Sequence, residues 1–204
     1  MTHDTDQHDR TPPLADIIAQ RHSTRAFSTQ PISDEQIASV LAAARWAPSY
    51  GNRQPTRYVV VRDPAVLSDV HEALTRGNAY AKCAPVLIAV CGAPEWGQIV
   101  EGREYFLMDA GLGVENLLLQ AVQLGLVGHP MGGFDEQRVR DALGIPNGVR
   151  VLALVALGYQ GNIEDLDDRT REREQRPRTR KPPEEVHALD HWPWSDEGEP
   201  GSSL

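Results

Sequence analysis

Residues 103–124 read REYFLMDAGLGVENLLLQAVQL. Phe106, Leu107, Ala110, Val114, Leu117, Leu118, Ala121 and Leu124 recur at spacings of three and four, the period of an α-helix. The apolar face so formed is wide, so the helix is expected at the centre of the fold or at a subunit interface. Gly125 stands where such a helix is closed by a left-handed residue. Gly111 and Gly113 lie inside the pattern rather than after a strand, and the third glycine position of a dinucleotide fingerprint is Asn116. A Rossmann reading is therefore excluded.

The segments on either side fill in the layers. A short helix is expected over residues 14–21, with Leu14, Ile17 and Ile18 on one side. Ser33 and Gln36 form an S-x-x-Q capping box that opens a helix running to about Trp46, and Pro48 stops it. Tyr58 to Val61 is a strand. Asp63-Pro64 reads as an N-cap and first helical position, starting a helix to about Arg76. Pro85 to Val90 and Val149 to Leu157 are apolar strands, and Gly128 to Gly133 reads as a flexible loop. Asp135 opens a short helix to about Leu143. Three strands among five helices are too few for a doubly wound sheet, so the expected class is α+β, a central antiparallel or mixed sheet flanked by helices. The expected organisation is one domain over 13–194 between disordered tails at 1–12 and 195–204. A charged, Pro-containing arm leaves it from about residue 160. The arm carries little apolar material until Val186, Leu189, Trp192 and Trp194, so it is expected to dock on another surface.

Composition excludes several classes of function. The 204 residues carry a net charge of −9, which argues against a general nucleic-acid binder. Residues 169–181 reverse the sign, with seven cationic side chains against two carboxylates. Such a run is a solvated charged face, or a place where one or two arginines reach an anion. The N-terminus has no apolar signal region and no apolar run reaches membrane-spanning length. Cys83 and Cys91 form no metal or redox motif, and the seven histidines are scattered, so a reduced cytoplasmic protein without a metal is expected. No phosphate-binding P-loop or nucleophile elbow occurs.

Two polar segments remain. Arg21-His22-Ser23-Thr24-Arg25 places two guanidinium groups and a hydroxyl together, which suits a phosphate or carboxylate. By itself it reads rather as a surface helix end with cations near the dipole. Ala47-Pro48-Ser49-Tyr50-Gly51-Asn52-Arg53-Gln54-Pro55 is a loop-forming stretch between a helix and a strand. Taken in order with Pro130-Met131-Gly132-Gly133-Phe134, and with Gly158-Tyr159 followed by Arg178-Thr179-Arg180-Lys181-Pro182, these segments resemble the nitroreductase family of FMN enzymes. The resemblance spans about residues 14–192.

The resemblance implies a nitroreductase-like homodimer, with the long helix at its interface and two FMN sites built from both subunits. Arg21, His22 and Ser23 would serve the FMN phosphate or ribityl oxygens, and Arg25 the pyrimidine edge. Pro48, Ser49, Tyr50 and Asn52 would approach the flavin of the partner. Pro130, Met131, Gly132 and Gly133 would lie near flavin N5, Asn78 at the pyrimidine, and Arg178 and Arg180 at the phosphate. It also implies ping-pong hydride transfer from NAD(P)H to an electron-poor small molecule, a nitroaromatic or a quinone, without a catalytic side-chain acid or base. Gly132 and Arg25 would support the chemistry. Reductive dehalogenation, oxygen-dependent flavin breakdown, or a flavin carrier without turnover are the alternatives. Thr56 stands where many relatives carry an aromatic, and Arg53 is unusually bulky for its loop.

Overall fold

A computed structural model describes residues 14–194; the tails expected at 1–12 and 195–204 lie outside them. The chain divides into two compact units, one ending at Glu174 and one beginning at Gln175. The first contains α1 (Asp16–Gln20), α2 (Asp34–Arg45), β1 (Arg57–Val61), α3 (Pro64–His71), β2 (Val86–Gly92), β3 (Ile99–Val100) and β4 (Arg103–Glu104). After these come α4 (Tyr105–Gln123), β5 (Val127–Met131), α5 (Glu136–Leu143), β6 (Arg150–Gly158) and α6 (Asp168–Glu174). The arm expected from about residue 160 therefore starts later. Residues 160–174 are tied to the first unit by buried Thr170 and by hydrogen bonds that Glu174 accepts from Thr24 and Arg25.

Four strands pair antiparallel in the order β1-β2-β6-β5. β2 is buried along its whole length, and its side chains alternate between the two faces as a period of two requires. Leu87, Ala89 and Cys91 pack with Val70 of α3 and Val139 of α5. Val86, Ile88 and Val90 pack with Val40 of α2 and with Ala110, Leu117 and Ala121 of α4. The result is a three-layer α+β arrangement with an antiparallel sheet in the middle. A side chain at Gly113 would collide with the Tyr58 hydroxyl, so that glycine lets α4 approach the sheet closely.

Local signals hold where bonding is local. Ser33 Oγ accepts from Gln36 N at 3.2 Å while Gln36 Oε1 accepts from Ser33 N at 3.1 Å, completing the capping box. Asp63 accepts from Ala65 N and Val66 N at the start of α3. Long-range pairing overrides local signals in two places. The loop expected at Gly128–Gly133 is largely β5, paired with β6 from Val127↔Gly158 to Met131↔Leu154. Pro130 is tolerated because β5 is an edge strand. The helix expected to run to Arg76 ends at His71, because the next residues bond across to another segment: Asp135 N donates to Ala73 O and Thr75 N to Gly133 O.

The second unit holds a single 3₁₀ turn, Pro183–Glu185, among its described residues. Trp194 Nε1 donates to Glu184 O at 3.1 Å, and the Trp192 and Trp194 rings meet edge to face at 4.7 Å.

Candidate functional site

The crossing of residues 73–75 with residues 133–135 builds the first wall of the site. Gly133 O accepts three donors: Thr75 N at 3.1 Å, Thr75 Oγ1 at 2.9 Å and Asn78 Nδ2 at 2.9 Å. A Cβ at Gly133 would sit 2.7 Å from Asn78 Nδ2 and 2.8 Å from Thr75 Oγ1, so only glycine fits this clamp. Gly132 O accepts from Phe134 N at 3.2 Å, a three-residue turn. A trans peptide sets its N–H opposite its carbonyl, so the Gly133 N–H points away from that turn.

The network continues from Asn78 to Arg25. His129 on β5 lies between Tyr80 Oη, 2.9 Å from Nε2, and Thr24 O, 2.8 Å from Nδ1. A carbonyl only accepts, so Nδ1 carries a hydrogen. In the neutral ring Nε2 then accepts from the Tyr80 hydroxyl. Burial lowers the His129 pKa, the Thr24 bond opposes that, and Arg25 adds to the lowering, which favours this neutral form. Burial likewise pushes the Tyr80 hydroxyl up to about 12. Glu174 completes the cluster: Thr24 Oγ1 donates to it at 2.6 Å, Arg25 N at 2.9 Å and the Arg25 guanidinium at 3.3 Å. The Arg25 guanidinium lies 5.9 Å from the centre of the Tyr80 ring, and its Nε is buried without a partner.

Tyr80 Oη also lies 3.4 Å from Asn78 Oδ1, so Arg25, Asn78 and Gly133, expected together from far-separated segments, are brought together through Thr24, His129 and Tyr80. Met131 is buried and Pro130 half-buried on the same strand. Arg21 lies 3.4 Å from Ser23 Oγ and 3.7 Å from Glu115 of α4, and His22 Nδ1 donates to Gln20 O. Arg178 and Arg180 belong to the second unit, where both are exposed and Arg180 donates to Thr179 O. Thr24, Thr75, Tyr80, His129 and Glu174 were not foreseen. Thr24 and Glu174 are 150 residues apart in sequence, and no local pattern marks such a pair.

The second segment makes a different wall. Tyr50 N donates to Asp109 Oδ1 at 3.0 Å, and the Tyr50 and Tyr105 rings lie 4.5 Å apart, so α4 anchors the loop. Asp109 is buried and its Oδ2 has no partner. Gln54 N donates to Ser49 Oγ and the Gln54 amide to Asn52 Oδ1. Asn52 and Gln54 hold φ of 54° and 51°, a left-handed backbone that costs a non-glycine residue roughly 1 kcal/mol or more and concentrates at ligand-binding loops. A cavity of about 380 Å³ opens beside the loop, lined among others by Pro48, Ser49, Pro55, Thr56, Tyr58 and Asp109. Pockets for small organic ligands begin near this size. Thr56 is thus part of the cavity wall, whereas Arg53 is exposed. Among the described residues no hydrogen bond or ion pair joins residues 48–52 to residues 21–25. Asp109 and Glu115, which touch the two segments, are six positions apart on α4, about 9 Å along the axis and on different faces.

A profile described as "Nitroreductase family" matches residues 18–83 and 72–159. The chain belongs to the nitroreductase family. It is 36% identical over 160 residues to a protein of Archaeoglobus fulgidus whose name gives NADH dehydrogenase/NAD(P)H nitroreductase as a provisional activity; the match covers 75% of this chain and 90% of that one. It is 34% identical over 177 residues to an NADH dehydrogenase of Thermus thermophilus, covering 69% and 83% of the two chains. A crystal structure described as an oxidoreductase containing FMN superposes with a TM-score of 0.80 at 33% identity, over 94% of this chain and 98% of that one. Among the described residues no helix is long and apolar enough to cross a membrane, and no group of three His, Cys, Asp or Glu is placed to hold a metal ion.

Proposed function

We propose that this member of the nitroreductase family is an FMN-dependent oxidoreductase that passes reducing equivalents from NAD(P)H to an electron-poor small molecule, a nitroaromatic or a quinone. The carrying observation is the run of polar contacts that brings Arg25, Asn78 and Gly133 together: Asn78 Nδ2 donates to Gly133 O, Tyr80 Oη lies 3.4 Å from Asn78 Oδ1 and bonds His129, and His129 bonds the carbonyl of Thr24, the residue before Arg25. The residues suit the cofactor. An anionic, planar ring edge needs a cation and fixed N–H donors. Arg25 supplies a charge with a buried, unpartnered Nε, and the Gly133 clamp holds a backbone N–H outward.

In this reading Arg21, His22 and Ser23 bind the phosphate and ribityl oxygens. Arg25 and the free side of Asn78 face the pyrimidine. Pro130, Met131, Gly132 and Gly133 lie along the ring near N5. FMN, when bound, supplies a hydride acceptor and donor at N5, so the reductant and the electron acceptor use one pocket in turn, a ping-pong scheme. Arg25 stabilises negative charge gathered on the pyrimidine edge of the reduced ring. Gly132, where an added Cβ would meet open space, leaves room for a flat partner over the ring.

The second wall belongs to the other copy of a homodimer. Leu107, Met108 and Leu112 of α4 are between 38% and 54% exposed, an apolar stripe on the helix whose opposite face is in the core. Burying that stripe against its equivalent would bring Pro48, Ser49, Tyr50 and Asn52 of one copy to the flavin site of the other. The two thiols, one exposed and one buried, are unpaired, which suits the reducing cytoplasm.

Purified protein should be yellow with about one FMN per chain. Anaerobic addition of NADH or NADPH should bleach the yellow flavin absorbance, and a nitroaromatic should restore it. Colourless protein that takes up no added FMN would overturn the proposal.

A further inference from the structure

We infer that Glu174 is a positioning residue for Arg25, and that its carboxylate sets how much positive charge Arg25 presents to the bound cofactor. The inference rests on the FMN reading above. Three observations carry it. One carboxylate accepts from both the backbone N and the guanidinium of Arg25, at 2.9 and 3.3 Å, so it fixes main chain and side chain of the same residue. Its other oxygen takes the Thr24 hydroxyl at 2.6 Å, tying it to the preceding residue, whose carbonyl holds His129. Glu174 is only 11% exposed and Arg25 only 20%, so water screens the pair weakly.

The placement of Glu174 is itself built. It is the last residue of α6, and the residue before it, Arg173, donates to Gly77 O at 3.2 Å. Gly77 adjoins Asn78, whose amide closes the Gly133 clamp. The end of α6 therefore touches both the Arg25 side and the Asn78 side of the site. Nothing in the binding of an anionic ring calls for a carboxylate here; on charge alone it opposes the ligand. Its presence is accounted for if the site needs Arg25 held in one orientation and its charge partly offset, keeping the reduced cofactor from becoming too stable to give up its electrons.

The experiment compares wild type with Glu174→Gln and Glu174→Asp, each loaded with FMN. FMN affinity is measured by fluorescence titration, and reduction potential by anaerobic equilibration with a reference dye. Glutamine has nearly the same shape: its one oxygen can still accept from Arg25 N while its amide donates to Thr24 Oγ1, whose hydroxyl turns toward Ala26 O, so the fold is retained while the charge goes. In Glu174→Gln, reduced FMN should gain about tenfold in affinity relative to oxidised FMN, an upward shift of about 30 mV for the two-electron couple. In Glu174→Asp the charge remains but no longer reaches both Arg25 donors. Oxidised FMN should then bind about fivefold more weakly, with a potential shift smaller than that of Glu174→Gln. A Glu174→Gln potential equal to wild type overturns the inference, as does unchanged FMN affinity in Glu174→Asp. Wild type that binds no FMN overturns instead the cofactor reading beneath it.

Discussion

The two walls of the site differ in how their polar groups are satisfied. Around Arg25 most donors and acceptors have a partner supplied by the same chain, Arg25 Nε being the exception: Thr24, Glu174, His129, Tyr80, Asn78 and Gly133 form one contiguous set of polar contacts. Around Pro48–Asn52 the backbone is held in left-handed conformations, Asp109 Oδ2 has no partner, and Tyr50 is 42% exposed beside an open cavity. Apart from Arg25 Nε, the first wall is satisfied by its own chain. The second is strained and partly unsatisfied, the condition of a surface completed by another molecule. The shared site proposed above would account for both, because a wall that must fit a partner's ligand cannot be closed by its own chain.

The largest effects should come from breaking each wall at its most constrained point. Gly133→Val would drive side-chain carbon into Asn78 and Thr75, opening the clamp. FMN binding should fall at least a hundredfold and the melting temperature by several degrees, consistent with overpacking costs of about 1–3 kcal/mol. Gly132→Ala, with open space at the same test, should change affinity by less than threefold in the same titration. On the other wall, Met108→Arg places charge on the exposed stripe of α4. Sedimentation should show a monomer with native circular dichroism and FMN affinity reduced about tenfold or more. A Met108→Arg protein that remained a dimer with full FMN content would separate the stripe from the second wall.

A middle-sized effect tests the anchor of the second wall. Asp109→Ala removes the acceptor for Tyr50 N and leaves that donor without its partner. The expected cost is about 1–3 kcal/mol, read as a lower midpoint in urea unfolding. The 48–54 loop should also become the first site of limited proteolysis. Unchanged cleavage would show that the Tyr50–Tyr105 contact alone holds the loop.

The same contrast explains what could be read from the chain alone. Helices whose ends are set by neighbours in sequence were legible: Ser33 with Gln36, Asp63 with Ala65, Gly125 after α4. The site segments were legible only because their resemblance to a family put them in order. Elements decided by distant partners were not. Gly128-His129-Pro130 carries loop residues, and only the pairing with β6 makes it a strand. The helix after Pro64 stops at His71, short of the Arg76 that its local pattern suggests, because residues 73–75 give up helical bonding for residues 133–135. In sequence Glu174 is one charge in a basic run, yet three bonds from residues about 150 positions away make it part of the first wall.

The smallest expected effect concerns how the first wall responds to acid. His129 is held neutral mainly by burial, with its pKa below the usual histidine value. The unfolded chain, with an ordinary histidine pKa near 6.5, therefore binds more protons than the folded one between the folded pKa and about pH 6.5. Stability should rise with pH across that window and be lost as pH falls below about 6.5, by at most about 1.4 kcal/mol per pH unit for one group. His71 shifts in the same direction, through burial and then Lys82, so wild type carries two such slopes. Glu136 is also lowered, chiefly by its bond from Arg150, and its contribution is lost only at lower pH, as the carboxylate protonates below about 4.5. In His129→Gln the amide can still donate to Thr24 O, but only the His71 slope remains. Urea unfolding at pH 7.5 and 5.5 should show a clear fall for wild type and a shallower one for the variant. Equal falls would mean that a proton reaches His129 without disturbing its bonds to Thr24 and Tyr80, and the first wall would then be as adaptable as the second.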